Sequence, residues 1–120
     1  MKKILIVDDE PNIVMTLEYT FKKSNYEVFI ARDGQEALDI LKTNFPDVII
    51  LDIMMPMVDG FATLEQIRKD ANLQHTKVMF LSAKNKESDI EKGLALGADA
   101  YMTKPFSIKK VVEKVEVLLL

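Results

Sequence analysis

The sequence contains no cysteine and no tryptophan, a single histidine, and only four glycines and four prolines among 120 residues. Without cysteine there is no disulfide and no thiolate metal site, and the chain is compatible with a reducing cytoplasm. Long hydrophobic runs are missing too. Nothing approaches the roughly 20 apolar residues that a transmembrane helix needs. The start, Met1-Lys2-Lys3-Ile4-Leu5-Ile6-Val7, has the charge pattern of a secretory signal, but its apolar run is four residues long and meets Asp8 and Asp9 at once. A signal peptide needs roughly 7–15 apolar residues there. Nor is there an excess of positive charge: 16 Lys and Arg stand against 19 Asp and Glu, for a net charge of -3. Domains that grip nucleic acid normally carry a basic patch or stripe, so direct nucleic-acid contact by this domain is not expected, and neither is membrane contact. The lone His75 lies between Gln74 and Thr76 in a polar turn and reads as solvated rather than catalytic.

What is present suits one globular domain over residues 1–120. The chain is 48% hydrophobic and 29% charged, and it is long enough to bury a core without staples. Short apolar runs alternate with helix-like segments along the whole length, the pattern of an α/β domain with a parallel sheet. Strands are expected at Lys3–Asp8, Tyr26–Ala31, Val48 up to Asp52, Val78–Ser82 and Asp99–Thr103. Val48-Ile49-Ile50-Leu51 is apolar without alternation, which suits a strand covered on both faces. Between the strands, Pro11 opens a helix with Ile13, Val14, Leu17 and Phe21 on one face. Asp33 followed by Glu36 resembles a capping box before Ala37, Leu38 and Leu41. Asp59-Gly60 precedes Phe61, Leu64 and Ile67. Ile90 and Leu94 mark a weakly apolar fourth helix, expected to be loosely held or to face a partner. Ile108, Val111, Val112, Val115, Leu118 and Leu119 form the strong stripe of the last.

Four of the five strands end on chemistry: Asp8 and Asp9, Asp52, Ser82, and Lys104. In a right-handed parallel sheet these ends share one rim, where open α/β sheets bind ligands. Taken singly, Asp9 reads equally as a helix cap, Asp52 and Ser82 as turn starters, and Lys104 as a solvated charge. Taken together, they point to a site. Carboxylates crowded there repel one another unless a cation joins them, and a hard divalent ion such as Mg²⁺ or Mn²⁺ takes oxygen ligands of this kind. A carboxylate beside such a cation is a plausible nucleophile towards phosphorus. Lys104 and Ser82 then have charge-assisted partners in a transferred phosphoryl group. A phosphate-cradling loop after the first strand is disfavoured, since Asp8-Asp9-Glu10 repels an anion and no glycine-rich fingerprint follows.

The ordered set Ile6-Val7-Asp8-Asp9-Glu10, Asp52 to Gly60, Ser82-Ala83, Gly97-Ala98-Asp99-Ala100-Tyr101 and Lys104-Pro105-Phe106 resembles the receiver domains of two-component response regulators. The resemblance implies a flavodoxin-like, doubly wound, five-stranded parallel sheet in the order 2-1-3-4-5. By position, it makes Asp52 the phosphoryl acceptor, served by a sensor histidine kinase or a histidine phosphotransfer protein. It makes Asp9 the direct metal ligand, Asp8 an acid acting largely through water, and Met54 the donor of a backbone carbonyl. Ser82 matches the switch hydroxyl, Tyr101 the switch aromatic that turns inward, and Lys104-Pro105 a peptide bond usually found cis, with Gly60 as a structural residue. The resemblance also implies a domain that catalyses its own phosphorylation rather than turning over an external substrate.

By the same resemblance, Met54 and Lys84 match two positions that tune phosphoryl lifetime in receivers, and since neither easily positions an attacking water, slow self-hydrolysis is expected. Kinase specificity is expected on the first helix, Asn12 to Lys23, and on the loop after Lys104. The output is either a downstream protein or an attached domain, as in a DNA-binding regulator. The domain is expected as a monomer or a phosphorylation-dependent homodimer, and Ala100, where dimerising receivers often carry a second acid, weighs against the dimer. Rival readings are a phosphate-independent binding module, an aspartyl-phosphate phosphatase, which would want an acid at Met54, and a flavin or nucleotide carrier, which the acidic rim opposes. Met54, Met55 and Met57 could line a partner surface beside the site.

Overall fold

Three apolar runs with no alternation, in the first, third and fourth strands, dictate a sheet covered on both faces. The structure, a computed structural model, describes residues 1–120 and has that architecture. Its elements are β1 (Lys3–Val7), α1 (Pro11–Lys23), β2 (Glu27–Ala31), α2 (Gly34–Ile40), β3 (Val48–Leu51), α3 (Gly60–Lys69), β4 (Lys77–Ser82), α4 (Glu87–Ala95), β5 (Ala100–Thr103) and α5 (Ile108–Leu118). A short 3₁₀ turn, Ala71–Leu73, which the sequence pattern does not announce, links α3 to β4. All neighbouring strands pair in parallel, in the order β2-β1-β3-β4-β5. No helix is long and apolar enough to cross a membrane.

Alternate side chains of the central strands enter two separate cores. Leu5, Val7, Ile49, Leu51, Val78 and Phe80 point to one side and meet Ala37, Leu64 and Ile67 of α2 and α3. Ile4, Ile6, Val48, Ile50, Met79 and Leu81 point to the other and meet Leu17 and Phe21 of α1 with Val111 and Val115 of α5. Each of these residues is essentially removed from water, and burying such a side chain contributes on the order of 1.5–3 kcal/mol. The two-sided burial fixes the strand register, since a slip of one residue would exchange the two faces.

The helix ends follow local chemistry. Pro11 begins α1, and Asp33 accepts from the Glu36 amide at 2.8 Å. The Glu36 carboxylate reaches back to the amide of Arg32, one residue before the cap, at 3.0 Å, so the expected capping box is formed with that offset. Asp59 accepts from the Ala62 amide at 2.9 Å and Ser107 from the Lys110 amide at 3.4 Å.

The fourth helix is as lightly packed as its weak apolar face suggests. Leu94 is 46% exposed and Ile90 only half-buried, and the one buried residue of α4 is Gly93. A Cβ at Gly93 would stand 3.0 Å from the Phe80 ring and 3.1 Å from the Tyr101 ring, so the helix rests on the sheet through bare backbone. The Lys92 ammonium adds a contact 4.5 Å from the centroid of the Phe61 ring. Several strand ends also fall one residue short of the acids assigned to them: Asp8, Asp52 and Asp99 lie just outside their strands. Asp99 instead accepts from the Val78 amide at 2.9 Å and from Arg68 at 3.0 Å, and Arg68 also bonds the carbonyls of Gly97 and Thr76.

Gly60 packs closely against the backbone just beyond the end of β3. Its amide donates to the Ile53 carbonyl at 2.9 Å, and a Cβ would sit 2.3 Å from the Asp52 carbonyl oxygen and 2.6 Å from the Ile53 Cα. Both neighbours are backbone and cannot swing away. Gly60→Ala is expected to destabilise the domain by about 2 kcal/mol or more. Urea unfolding should show a lowered midpoint with unchanged slope, and a midpoint equal to that of the parent would contradict this packing.

Candidate functional site

The parallel sheet delivers the C-terminal ends of β1, β3, β4 and β5 to one rim. Asp8 follows β1 and Asp52 follows β3, and each is only 3% exposed. The backbone brings them together, because the Asp52 amide donates to the Val7 carbonyl at 2.9 Å across the β1–β3 pair. Lys104 follows β5, its amide bonded to the Ser82 carbonyl at 2.9 Å. Its ammonium reaches back across the rim to three acids: Glu10 at 2.8 Å, Asp8 at 3.0 Å and Asp52 at 3.6 Å. The Lys104–Pro105 peptide bond is cis.

Each buried carboxylate is also held by backbone donors. The Ile53 amide donates to Asp52 Oδ1 at 2.8 Å, and the Glu10 amide donates to Asp8 Oδ1 at 2.9 Å. These bonds leave Oδ2 of both acids directed towards the ammonium. Burial, and then the neighbouring Asp8 carboxylate, push the Asp52 carboxyl from 3.8 up to about 6, against the pull of Lys104. Asp8 is raised chiefly by burial, and the Glu10 amide and Lys104 oppose the rise. For Lys104 burial acts downwards, yet its bonds to Glu10 and Asp8 and the field of the acids outweigh it and leave the ammonium raised.

Ligand oxygens of Asp8, Glu10 and Asp52 lie within 4.8 Å of one another, an all-oxygen donor set that suits a hard divalent cation. Asp9 stands outside this set on the exposed lip of the rim. Glu10 stands inside it, although the motif reading gave it no role; the signal was its place in the acidic run after β1. Met54 is 58% exposed, two residues beyond Asp52, and its backbone amide helps pull the Asp52 carboxyl down. The loop methionines do not form one surface: Met57 is 85% exposed with a positive φ of 67°, whereas Met55 is 8% exposed and packs in the core.

Ser82 is fully buried at the end of β4, and its hydroxyl accepts from the Lys84 amide at 3.2 Å. The Tyr101 hydroxyl donates to the Lys84 carbonyl at 2.7 Å, and its ring lies 5.7 Å from that of Phe80. Phe80 in turn meets Phe61 edge-on at 5.6 Å. The Tyr101 ring is half-buried and lies under α4, where Gly93 leaves room for it. His75 is exposed at the opposite end of the sheet from the acids, near Lys2, Phe45 and Leu120.

The raised carboxyl of Asp52 makes a stability prediction with a definite sign. A folded-state value of about 6 against 3.8 means that the native protein binds this proton more tightly than the unfolded chain. Its contribution is fully present below about pH 4 and is lost as pH rises through about 6. Asp52→Asn, which cannot ionise, should be more stable than the parent at pH 7.5 by roughly 2 kcal/mol, and the advantage should shrink below pH 5. Thermal melts at both pH values test this, and an equal difference at the two would count against ionisation of Asp52 as its origin.

The comparisons with known proteins agree with this geometry. The family described as "Response regulator receiver domain" matches residues 4–116. The alkaline phosphatase synthesis transcriptional regulatory protein PhoP of Bacillus subtilis (strain 168) is 46% identical over 118 residues, which are 98% of this chain and 48% of that protein. The chain thus spans about half the length of that curated relative. Among solved structures, the receiver domain of the Francisella response regulator 1452 has a TM-score of 0.91 at 38% identity, covering 99% of this chain and 97% of that one. The chemotaxis response regulator CheY4 of Vibrio cholerae has a TM-score of 0.93 at 31% identity, covering 99% of both chains. With the family matched over residues 4–116 and the fold shared with solved receiver structures, the chain belongs to the receiver domains of two-component response regulators.

Proposed function

We propose that residues 1–120 act as one receiver whose Asp52 accepts a phosphoryl group from a phosphohistidine of a sensor histidine kinase or histidine phosphotransfer protein. The observation that carries this is the pairing of a buried Asp52 with Asp8 and with an ammonium 3.6 Å away, at the end of a central strand. Asp8, Asp52 and the Met54 carbonyl, with Asp9 from the lip, are the groups assigned to Mg²⁺ or Mn²⁺. When bound, such a cation neutralises the crowded acids and shields the charge of an incoming phosphoryl group.

At neutral pH the Asp52 carboxyl, with its value near 6, is mostly ionised and competent as a nucleophile. Its free oxygen attacks phosphorus, forming the P–O bond of an acyl phosphate. The P–N bond to the donor imidazole breaks, its electron pair stays on the ring nitrogen, and a solvent proton neutralises the departing ring. Lys104 moves its ammonium from the resting acids to the phosphoryl oxygens, and the Ser82 hydroxyl donates to another. The domain thereby catalyses its own modification. Met54 and Lys84 flank Asp52 without offering a group that positions water, in keeping with a long-lived acyl phosphate.

Phosphorylation adds roughly two negative charges at Asp52. Shifting a two-state equilibrium from 1:99 to 99:1 takes about 5.5 kcal/mol of differential interaction, and a hydrogen bond to a charged group contributes about 1.5–3 kcal/mol. Ser82 and Lys104 together are about sufficient, and either alone is not. Ser82 is tied to the Lys84 amide and Tyr101 to the Lys84 carbonyl, so drawing the hydroxyl towards a phosphoryl group also moves the anchor of Tyr101. The readout passes to the face of α4, β5 and α5, and from there to a protein partner, to a second copy, or to an output domain of the kind a transcriptional regulator carries.

Intact mass after incubation with acetyl phosphate tests the acceptor. A gain of one phosphoryl group is expected with Mg²⁺, and neither Asp52→Asn nor the metal-free protein should show it. Absence of any adduct with both acetyl phosphate and a phosphorylated histidine kinase would overturn the assignment. Ser82→Ala should still be phosphorylated, but the amide shifts around Tyr101 should fall to less than half of the parent's. Shifts of undiminished size would remove Ser82 from the switch.

A further inference from the structure

Glu10 is the residue at the rim that neither the acceptor chemistry nor the helix explains. It occupies the cap position of α1, yet its side chain makes no capping bond. Its carboxylate instead makes the shortest contact of the Lys104 ammonium, 2.8 Å, against 3.0 Å for Asp8 and 3.6 Å for Asp52. The Glu10 side chain is 57% exposed and the Lys104 side chain 10%, so the pair joins a solvent-exposed acid to a largely buried cation. Glu10 and Lys104 also form one wall of an open cleft of about 530 Å³, with Ile13, Ala83, Pro105 and Phe106 as the others.

We propose that Glu10 is a positioning residue, a carboxylate latch that holds the Lys104 ammonium at the outer edge of the site, away from Asp52, until a phosphoryl group arrives. The inference rests on Asp52 being the acceptor. At rest the ammonium has two better-placed partners than Asp52, and the nearest of them is the one that water can most easily replace. A phosphoryl group on Asp52 carries more charge than Glu10 and lies deeper, so the ammonium moves inward and Glu10 is released to solvent at little cost. The same carboxylate lies on the wall of the cleft and repels anionic phosphodonors before they reach Asp52. Glu10 thus opposes the reaction twice, by occupying Lys104 and by its field, and it restrains phosphorylation by small anions.

The test compares the parent, Glu10→Gln, and Glu113→Gln, the last making the same charge change on the exposed face of α5. Phosphorylation by acetyl phosphate is followed by intact mass at saturating Mg²⁺. Glu10→Gln is expected to react about two- to five-fold faster, the size appropriate to a half-exposed ion pair, and Glu113→Gln at the parental rate. In the metal-free proteins, the ¹⁵N resonance and hydrogen exchange of the Lys104 ammonium should change in Glu10→Gln alone, which a purely structural role at the start of α1 would not produce. An unchanged or slower rate in Glu10→Gln overturns the latch, as does an unaltered Lys104 resonance. A slower rate at limiting Mg²⁺ that disappears at saturation, with no gain above the parent, makes Glu10 a metal ligand instead and equally overturns it. If the parent itself gains no phosphoryl group from acetyl phosphate or from a kinase, the acceptor assignment fails and the latch falls with it.

Discussion

Two carboxylates and one ammonium, nearly removed from water at the end of a parallel sheet, set the terms for the rest of this domain. Asp8 and Asp52 are placed within reach of each other by the β1–β3 pairing, and Lys104 closes the group from β5. Burying charge is costly, and pairing offsets the cost only when hydrogen bonds satisfy what remains. Here the Glu10 and Ile53 amides supply those bonds, and no buried side-chain polar atom in the protein lacks a partner. The acids still outnumber the cation, so the site retains unbalanced negative charge. The high carboxyl of Asp52 reflects its burial first and the neighbouring Asp8 charge second.

A site under such tension needs a rigid support, and the sheet provides it. β1, β3 and β4 are apolar on both faces, and their residues interlock with four helices, so the strand ends cannot shift independently. Gly60 and Gly34 tighten the side of the sheet behind Asp52. A Cβ on Gly34 would meet Thr63 and the Val58 carbonyl, and one on Gly60 the backbone of Asp52 and Ile53. The loop between β3 and α3 is thus pressed against Asp52, while its exposed residues, Met54 and Met57, remain free on the outer surface.

Much of this was legible in the sequence, and the reason is physical. Residues at strand ends are forced onto one rim by parallel topology, so Asp8, Asp52, Ser82 and Lys104 could be assembled from the positions of the apolar runs alone. What was not legible depended on side-chain reach or on the absence of a side chain. Glu10 lies in the acidic run after β1, but only the path of Lys104 across the rim makes it the nearest partner. Asp9, one residue earlier, lies exposed outside the close set of oxygens formed by Asp8, Glu10 and Asp52. In α4, Ile90 and Leu94 marked only a weak apolar face, and apolar periodicity cannot register the contact made instead through Gly93. The half-buried place of the Tyr101 ring follows from that same contact.

The α4 contact bears on how a signal would leave the site. Most helices in this domain are held by several large apolar side chains, each contributing on the order of 1.5–3 kcal/mol, whereas α4 has Gly93, a cation over Phe61 and half-buried Ile90. Segments with few buried apolar contacts open at lower cost than the global core. Under α4 run three rings in sequence, Phe61, Phe80 and Tyr101, and the last is bonded to the loop that carries Lys84. A small displacement of that loop therefore meets a tightly packed sheet on one side and a lightly held helix on the other. The sheet cannot yield without breaking both cores, so the displacement is taken up by α4 and by the Tyr101 ring beneath it. On the function proposed above, the weak packing of this one helix would let a rigid domain respond to a change confined to Asp52.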